Sequence, residues 1–306
     1  MPDPTTFLAC LPSPLPRVRA DCAQVLAWCR PQLDALVPEP PQGWLRLCYD
    51  TLANRLFPAP SDAVLTEELR QGVDGYAAAL EFCIASESGC FPFDPLTDIP
   101  ALTERECARS RIPDEIPRFF DAIRQAQFVA LLRLGRAVMP FDPASHMIGV
   151  HALALDLARQ AAASGLPVDV ALTSAAALSH DIGKFGCRGA EIKLMPKLHY
   201  RYTDDWLRRQ NLPGIAEIAA HHAIWEMLED ELPLEEKLLI YADVRVRGTR
   251  ENGREIVRIY TLAEADAMIQ AKLLDPTPEK VQRFRRAFDR LTAFERSLQA
   301  RGVRLL

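Results

Sequence analysis

Nothing in this chain approaches the ~20 consecutive apolar residues that a membrane-spanning helix requires, so no membrane partner is expected. The opening residues, MPDPTTFLACLPSPLP, lack a basic segment followed by an unbroken apolar core, which argues against a secretory leader. The eight cysteines (Cys10, Cys22, Cys29, Cys48, Cys83, Cys90, Cys107 and Cys187) include no C-x-x-C pair, which argues against a zinc finger or a thioredoxin-like site. Several sit in apolar contexts such as Leu80-Glu81-Phe82-Cys83-Ile84, where a thiol behaves as a small core hydrophobe. A reduced, cytoplasmic protein is the expectation. Lysine is scarce, at six of 36 basic residues, and no basic stripe is interleaved with aromatics. With a net charge of −5, nucleic acid is an unexpected partner. Histidine is absent from the first 145 residues.

What is present is an ordinary globular balance, 49% hydrophobic and 25% charged, over a length that supports one large core or two modest ones. Sixteen of the 24 prolines lie before residue 118, and the chain changes character there. We read residues 1–115 as an N-terminal helical region of unassigned role, broken at PEPPQG, FPAP and FPFDPLTDIP, with helical spacing over Gly72–Ser86. Residues 116–306 form the second domain. Longer helices are predicted at Ile116–Val138, Met147–Ser164, Val168–His180, Thr203–Gln210, Gly214–Glu229, Leu234–Val244 and Pro278–Arg301, with Pro167 and Pro213 at helix starts. Val244–Arg250 and Glu255–Thr261 alternate around Asn252-Gly253, which predicts a small β-hairpin. The fold class is all-α with that one hairpin.

All six histidines fall between residues 146 and 222: His146, His151, His180 followed by Asp181, His199, and the adjacent His221 and His222. Asp243 follows in the apolar context Leu238-Leu239-Ile240-Tyr241-Ala242-Asp243-Val244. Imidazole and carboxylate together suit first-row divalent metals, and a carboxylate between two ions can bridge them. A helical bundle builds such a site from inward-facing residues on separate helices. Burying His180 and Asp181 at the end of an apolar helix is costly without a partner, and a metal supplies one. His221 and His222 point about 100° apart and so cannot address one point equally. A lone histidine such as His151 is more simply structural.

The ordered series resembles the HD-domain superfamily of metal-dependent phosphohydrolases. His146-Met147-Ile148-Gly149-Val150-His151 resembles the family's first motif helix, with the first ligand at His146. Leu178-Ser179-His180-Asp181-Ile182-Gly183-Lys184 resembles its HDIGK signature. The segments from His199 to Leu207 and from Ile215 to His222 resemble the third and fourth motifs of the HD-GYP branch, and the segment ending at Asp243 resembles the closing aspartate helix. The glycine-tyrosine-proline motif of that branch has no counterpart here, and Ala223 stands where a glutamate would follow His222. The resemblance implies an HD helical bundle and a metal-ligand set of His146, His180, Asp181, His199, His221, His222 and Asp243. These would hold two divalent transition-metal ions (manganese, iron, cobalt or nickel, with magnesium as an option), bridged by Asp181. The activity implied is hydrolysis of a nucleotide or related small phosphorylated molecule by a two-metal-activated water, with Asp181 and Lys184 as catalytic residues.

Three of the six lysines, Lys184, Lys193 and Lys197, lie between Asp181 and His199, which makes Lys193 and Lys197 candidates for substrate binding beside the signature lysine. Arg245 and Arg247 alternate with Val244 and Val246 on the expected hairpin and so share a face, where guanidinium groups suit a phosphate. Two other readings accompany the hydrolase: an HD-fold ligand-binding sensor without turnover, and a di-iron oxygenase on the same fold.

Overall fold

The computed structural model describes residues 49–50, 52–54, 56–57, 99–124, 131–132, 135, 139, 143–251, 254–271 and 277–305. The expected helix at Gly72–Ser86 and the Asn252-Gly253 turn lie outside them, as do six of the eight cysteines. Packing divides the chain into two compact units: Met1–Asp98, Ala122–Asp142 and Phe185–Pro196 in the first, and Ile99–Asp121, Pro143–Lys184 and Lys197–Leu306 in the second. All six histidines belong to the second unit, which is a helical assembly carrying one two-stranded antiparallel hairpin. The helices described are α1 (Glu104–Ala108), α2 (Glu115–Arg124), α3 (Pro143–Ala163), α4 (Val170–Ser179), α5 (Met195–Arg209), α6 (Pro213–Ala219), α7 (Leu234–Arg245), α8 (Leu262–Ala271) and α9 (Pro278–Ala300). Strands β1 (Val246–Glu251) and β2 (Arg254–Ile259) follow α7. No helix of the described residues is long and apolar enough to cross a membrane.

The centre of this unit is α4. Every residue from Ala171 to Ser179 is buried, and α3, α6 and α7 pack around it. A helix apolar on all faces has to lie inside a core, and its alanines let neighbouring helices approach closely. The helix begins three residues after Pro167, because Asp169 caps it by accepting from the Leu172 N–H at 2.9 Å. The other oxygen of Asp169 accepts from the Ser110 hydroxyl at 3.0 Å. Glu235, in the first turn of α7, accepts from the Asp169 N–H at 2.7 Å, which ties the starts of α4 and α7 together.

Three predicted helices differ in extent, the first being α3, which starts at Pro143, four residues before the expected Met147. α5 starts eight residues before Thr203, because its inward face (Met195, His199, Thr203, Trp206 and Leu207) is half polar and so hides from an apolar pattern. The expected Gly214–Glu229 helix stops at Ala219 and gives way to a 3₁₀ turn at Ile224–Leu228. The hairpin matches its prediction closely, with Val246 opposite Ile259 and Gly248 opposite Val257. It lies on α3 at Gly149, where an added Cβ would meet the Val257 and Val246 methyls at 2.3 and 2.8 Å. The helix α8 was not expected from the sequence.

Candidate metal centre

Five elements converge on one carboxylate. His146 lies in the first turn of α3, His180 caps the C-terminus of α4, and Asp181 follows it. His199 lies on α5, His222 follows the end of α6, and Asp243 sits near the end of α7. Asp181 is 1% exposed, and its two oxygens face two different pairs of imidazoles. Its Oδ2 lies 3.6 Å from His146 Nε2 and 3.5 Å from His180 Nε2. Its Oδ1 lies 3.5 Å from His199 Nε2 and 3.6 Å from His222 Nε2. Asp243 Oδ1 closes the first group, 2.8 Å from His146 Nε2 and 3.6 Å from His180 Nε2. The Lys184 ammonium pairs with Asp181 Oδ2.

Helix ends orient two of these rings. The last carbonyls of an α-helix have no partner within it. The Ala177 carbonyl lies 2.7 Å from His180 Nδ1, and the Ala219 carbonyl lies 2.7 Å from His222 Nδ1. A carbonyl only accepts, so both Nδ1 atoms carry the proton and both Nε2 atoms present bare lone pairs. This is the arrangement in which a ligating histidine donates its far N–H to a backbone carbonyl.

Those lone pairs provide a test of whether a cation fits. His180 Nε2 is fully buried with no hydrogen-bond partner, an expensive state for a polar atom. His222 Nε2 lies 3.1 Å from His199 Nε2, with the Asp181 carboxylate behind them both. The bare His180 Nε2 and the Asp181 and Asp243 oxygens that face it at 3.5 and 3.6 Å repel unless positive charge lies between them. The 3.5–3.6 Å separations are too long for hydrogen bonds, but they match the edge of about 3.4 Å expected between tetrahedral ligands that each lie about 2.1 Å from an ion. His146, His180 and Asp243 form one group able to hold an ion, and His180, Asp181 and His222 form another.

The field agrees with that chemistry. Burial alone would raise both carboxyls. Lys184 and then His180 instead hold Asp181 well below the ordinary carboxylate range. Asp243 is held below it by His146 and then His180. Burial depresses His146 further than its carboxylates lift it. At His180 burial is outweighed by Asp181 and Asp243, and its affinity for a proton rises. A pocket that draws a proton onto a buried ring draws a metal cation by the same force.

The remaining candidates are dispersed. His221, one residue from His222 in the turn after α6, is exposed and stands outside the cluster. Lys193 and Lys197 are exposed. Arg245 does not share a face with Arg247, because α7 runs through it and the strand begins only at Val246. It is 2% exposed, donates to the Tyr241 hydroxyl at 2.8 Å and the Tyr260 carbonyl at 2.6 Å, and stacks on the Tyr241 ring. Arg247 stays beside the centre, donating to the Asp243 carbonyl at 2.8 Å. Residues that the spacing did not single out also build the site. Gly183 N–H donates to Thr203 Oγ1 at 3.0 Å, and that hydroxyl donates to the His180 carbonyl at 2.9 Å, which binds the motif turn to α5. Thr203 stands four residues after His199, one helical turn along the same face, and this was a signal available in the sequence.

His151 plays a different part. It is fully buried on α3 with Nε2 2.7 Å from the Ser174 hydroxyl of α4. Burial, reinforced by Arg159, pushes its pKa down to about 3. The unfolded chain takes up a proton below about pH 6.5 and the folded chain does not, so this ring lowers stability as pH falls from 6.5 toward 3. Between pH 7 and pH 5 the wild-type chain should lose about 2 kcal/mol more than a His151→Gln variant. Urea unfolding at the two pH values measures the difference, and equal losses would refute the buried neutral ring.

Residues 144–248 match the family model described as HD domain, a span that holds the whole cluster. Neither the curated proteins nor the solved structures contain a match to this chain.

Proposed function

We propose that this chain, which matches the HD-domain family model over residues 144–248, is a metal-dependent phosphohydrolase acting on a nucleotide or a similar small phosphorylated molecule. One observation carries the reading: a buried Asp181 carboxylate stands between two pairs of imidazoles, one of which exposes a bare, unpartnered Nε2 to it. In this reading His146, His180, Asp181 and Asp243 hold one divalent transition-metal ion. His199 and His222 hold a second, with Asp181 shared. Ions bound in such a pair activate water and offset charge developing on a phosphoryl group.

The protein's own residues supply the rest. The Ala177 and Ala219 carbonyls fix the ring tautomers before substrate arrives, so no reorientation is needed during reaction. Lys184 neutralises Asp181 in the structure, and its flexible stem lets the ammonium turn to a phosphoryl oxygen when that charge is otherwise balanced. Arg247, held by the Asp243 carbonyl at the end of α7, is the arginine placed to meet further phosphate charge.

The test is phosphate release across a nucleotide panel, with Mn²⁺, Fe²⁺, Co²⁺, Ni²⁺ and Mg²⁺ each added to metal-stripped protein. Metal-dependent turnover is the expected result, and the panel then orders the substrates. No turnover with any metal, in protein shown to hold two ions, would overturn the hydrolase reading in favour of a sensor.

A further inference from the structure

We propose that the Tyr200 hydroxyl is a further substrate-binding group, donating a hydrogen bond to a phosphoryl oxygen held beside the histidine–aspartate cluster. The inference rests on the hydrolase reading and adds a contact that the sequence pattern did not indicate. Tyr200 follows His199 on α5, and its ring lies against two imidazoles of the cluster. Its centroid is 3.8 Å from that of His199 and 4.6 Å from that of His222. The residue is half-buried. Its hydroxyl forms no hydrogen bond among the described residues.

The surroundings say what that hydroxyl is for. The His199 and His222 rings that it covers lie 3.5 and 3.6 Å from Asp181 Oδ1. A phenol keeps its proton at neutral pH, so Tyr200 is a neutral donor beside a cluster that contains two carboxylates, Asp181 and Asp243. An anionic substrate entering this place meets that negative charge and needs donors that carry no repulsion. A phenylalanine would pack on His199 and His222 equally well by area. What tyrosine adds is the hydroxyl donor. Tyrosine provides both parts at once, an apolar face on the imidazoles and a polar tip toward the incoming group.

Tyr200→Phe separates the two parts, because it keeps the ring and removes only the donor. The full-length chain is loaded with Mn²⁺, its metal content is measured, and binding of inorganic phosphate is followed by calorimetry. The variant should hold as much manganese as wild type and melt at the same temperature. Its phosphate dissociation constant should rise about tenfold or more, the worth of a hydrogen bond to a charged acceptor. With a nucleotide that turns over, KM should rise by more than kcat falls. Tyr200→Leu removes the ring as well and should also weaken manganese binding. Equal phosphate affinity in Tyr200→Phe and wild type would overturn the proposal while leaving the hydrolase reading intact. A wild-type protein that loads manganese but neither binds phosphate nor hydrolyses any nucleotide would overturn both.

Discussion

An Asp181→Asn protein should lose its bound metal and at least about a hundredfold of its phosphate-releasing turnover, while keeping its helical far-UV spectrum. The amide is nearly the same size as the carboxylate, so the packing around this 1%-exposed residue has no reason to change. Its charge and its symmetry do change. The carboxylate turns one oxygen to His146 and His180 and the other to His199 and His222. An amide offers one weak ligand oxygen and one N–H₂ group, which donates to bare imidazole nitrogens instead of sharing a cation with them. The fold therefore survives because the amide satisfies the lone pairs that an ion would otherwise satisfy. Loss of bound ions removes several kcal/mol of transition-state stabilisation, and each 1.36 kcal/mol is a factor of ten in rate. Metal content by mass spectrometry and turnover on the best nucleotide are the two readouts. Full metal content in the Asn variant would show that Asp181 is not the shared ligand.

Gly183→Ala should unfold more readily than wild type by about 3 kcal/mol and should bind fewer ions. A Cβ at this position would lie 2.1 Å from the His199 carbonyl oxygen and 2.5 Å from the Thr203 amide nitrogen. Both are backbone atoms of α5, so no rotamer change relieves the clash and the helix itself has to move. Overpacking of this kind costs about 1–3 kcal/mol, and a backbone contact belongs at the upper end. For a chain of this size that corresponds to a melting temperature lower by roughly 6–12 °C. The same displacement breaks the Gly183–Thr203 hydrogen bond and carries His199 away from Asp181 Oδ1. Manganese titration should then show the His199–His222 position weakened more than the His146–His180–Asp243 position. Equal loss at both positions would point to general destabilisation instead of a moved α5.

How far the sequence could be read depended on the kind of residue. The hairpin followed from alternating β-branched residues around Asn252-Gly253, a local signal that needs no tertiary partner. α3 and α4 followed from apolar content because their inward faces are mostly hydrocarbon. The start of α5 was missed because two of its inward positions, His199 and Thr203, are polar for the sake of the site. Arg245 was misplaced for a related reason. A one-residue change in where the helix ends turned it from the hairpin face into a buried contact with Tyr241 and Tyr260.

The order of histidines and aspartates, with the HDIGK signature among them, pointed through its resemblance to the HD family to an all-helical HD domain whose residues could hold a metal. Those residue types are costly to bury in that order without a cation. Only the tertiary structure decided how they share the work: Asp181 between two pairs of rings, His222 inside and His221 outside, Lys184 on the carboxylate, and Tyr200 lying on the imidazoles. Spacing along a chain suggested which residues could share a site, and the packing kept some of them and dispersed His221, Lys193, Lys197 and Arg245. The direction in which each side chain points depends on where its helix ends and what that end meets, and the Ala177 and Ala219 carbonyls settle this for His180 and His222 only once the helices have packed.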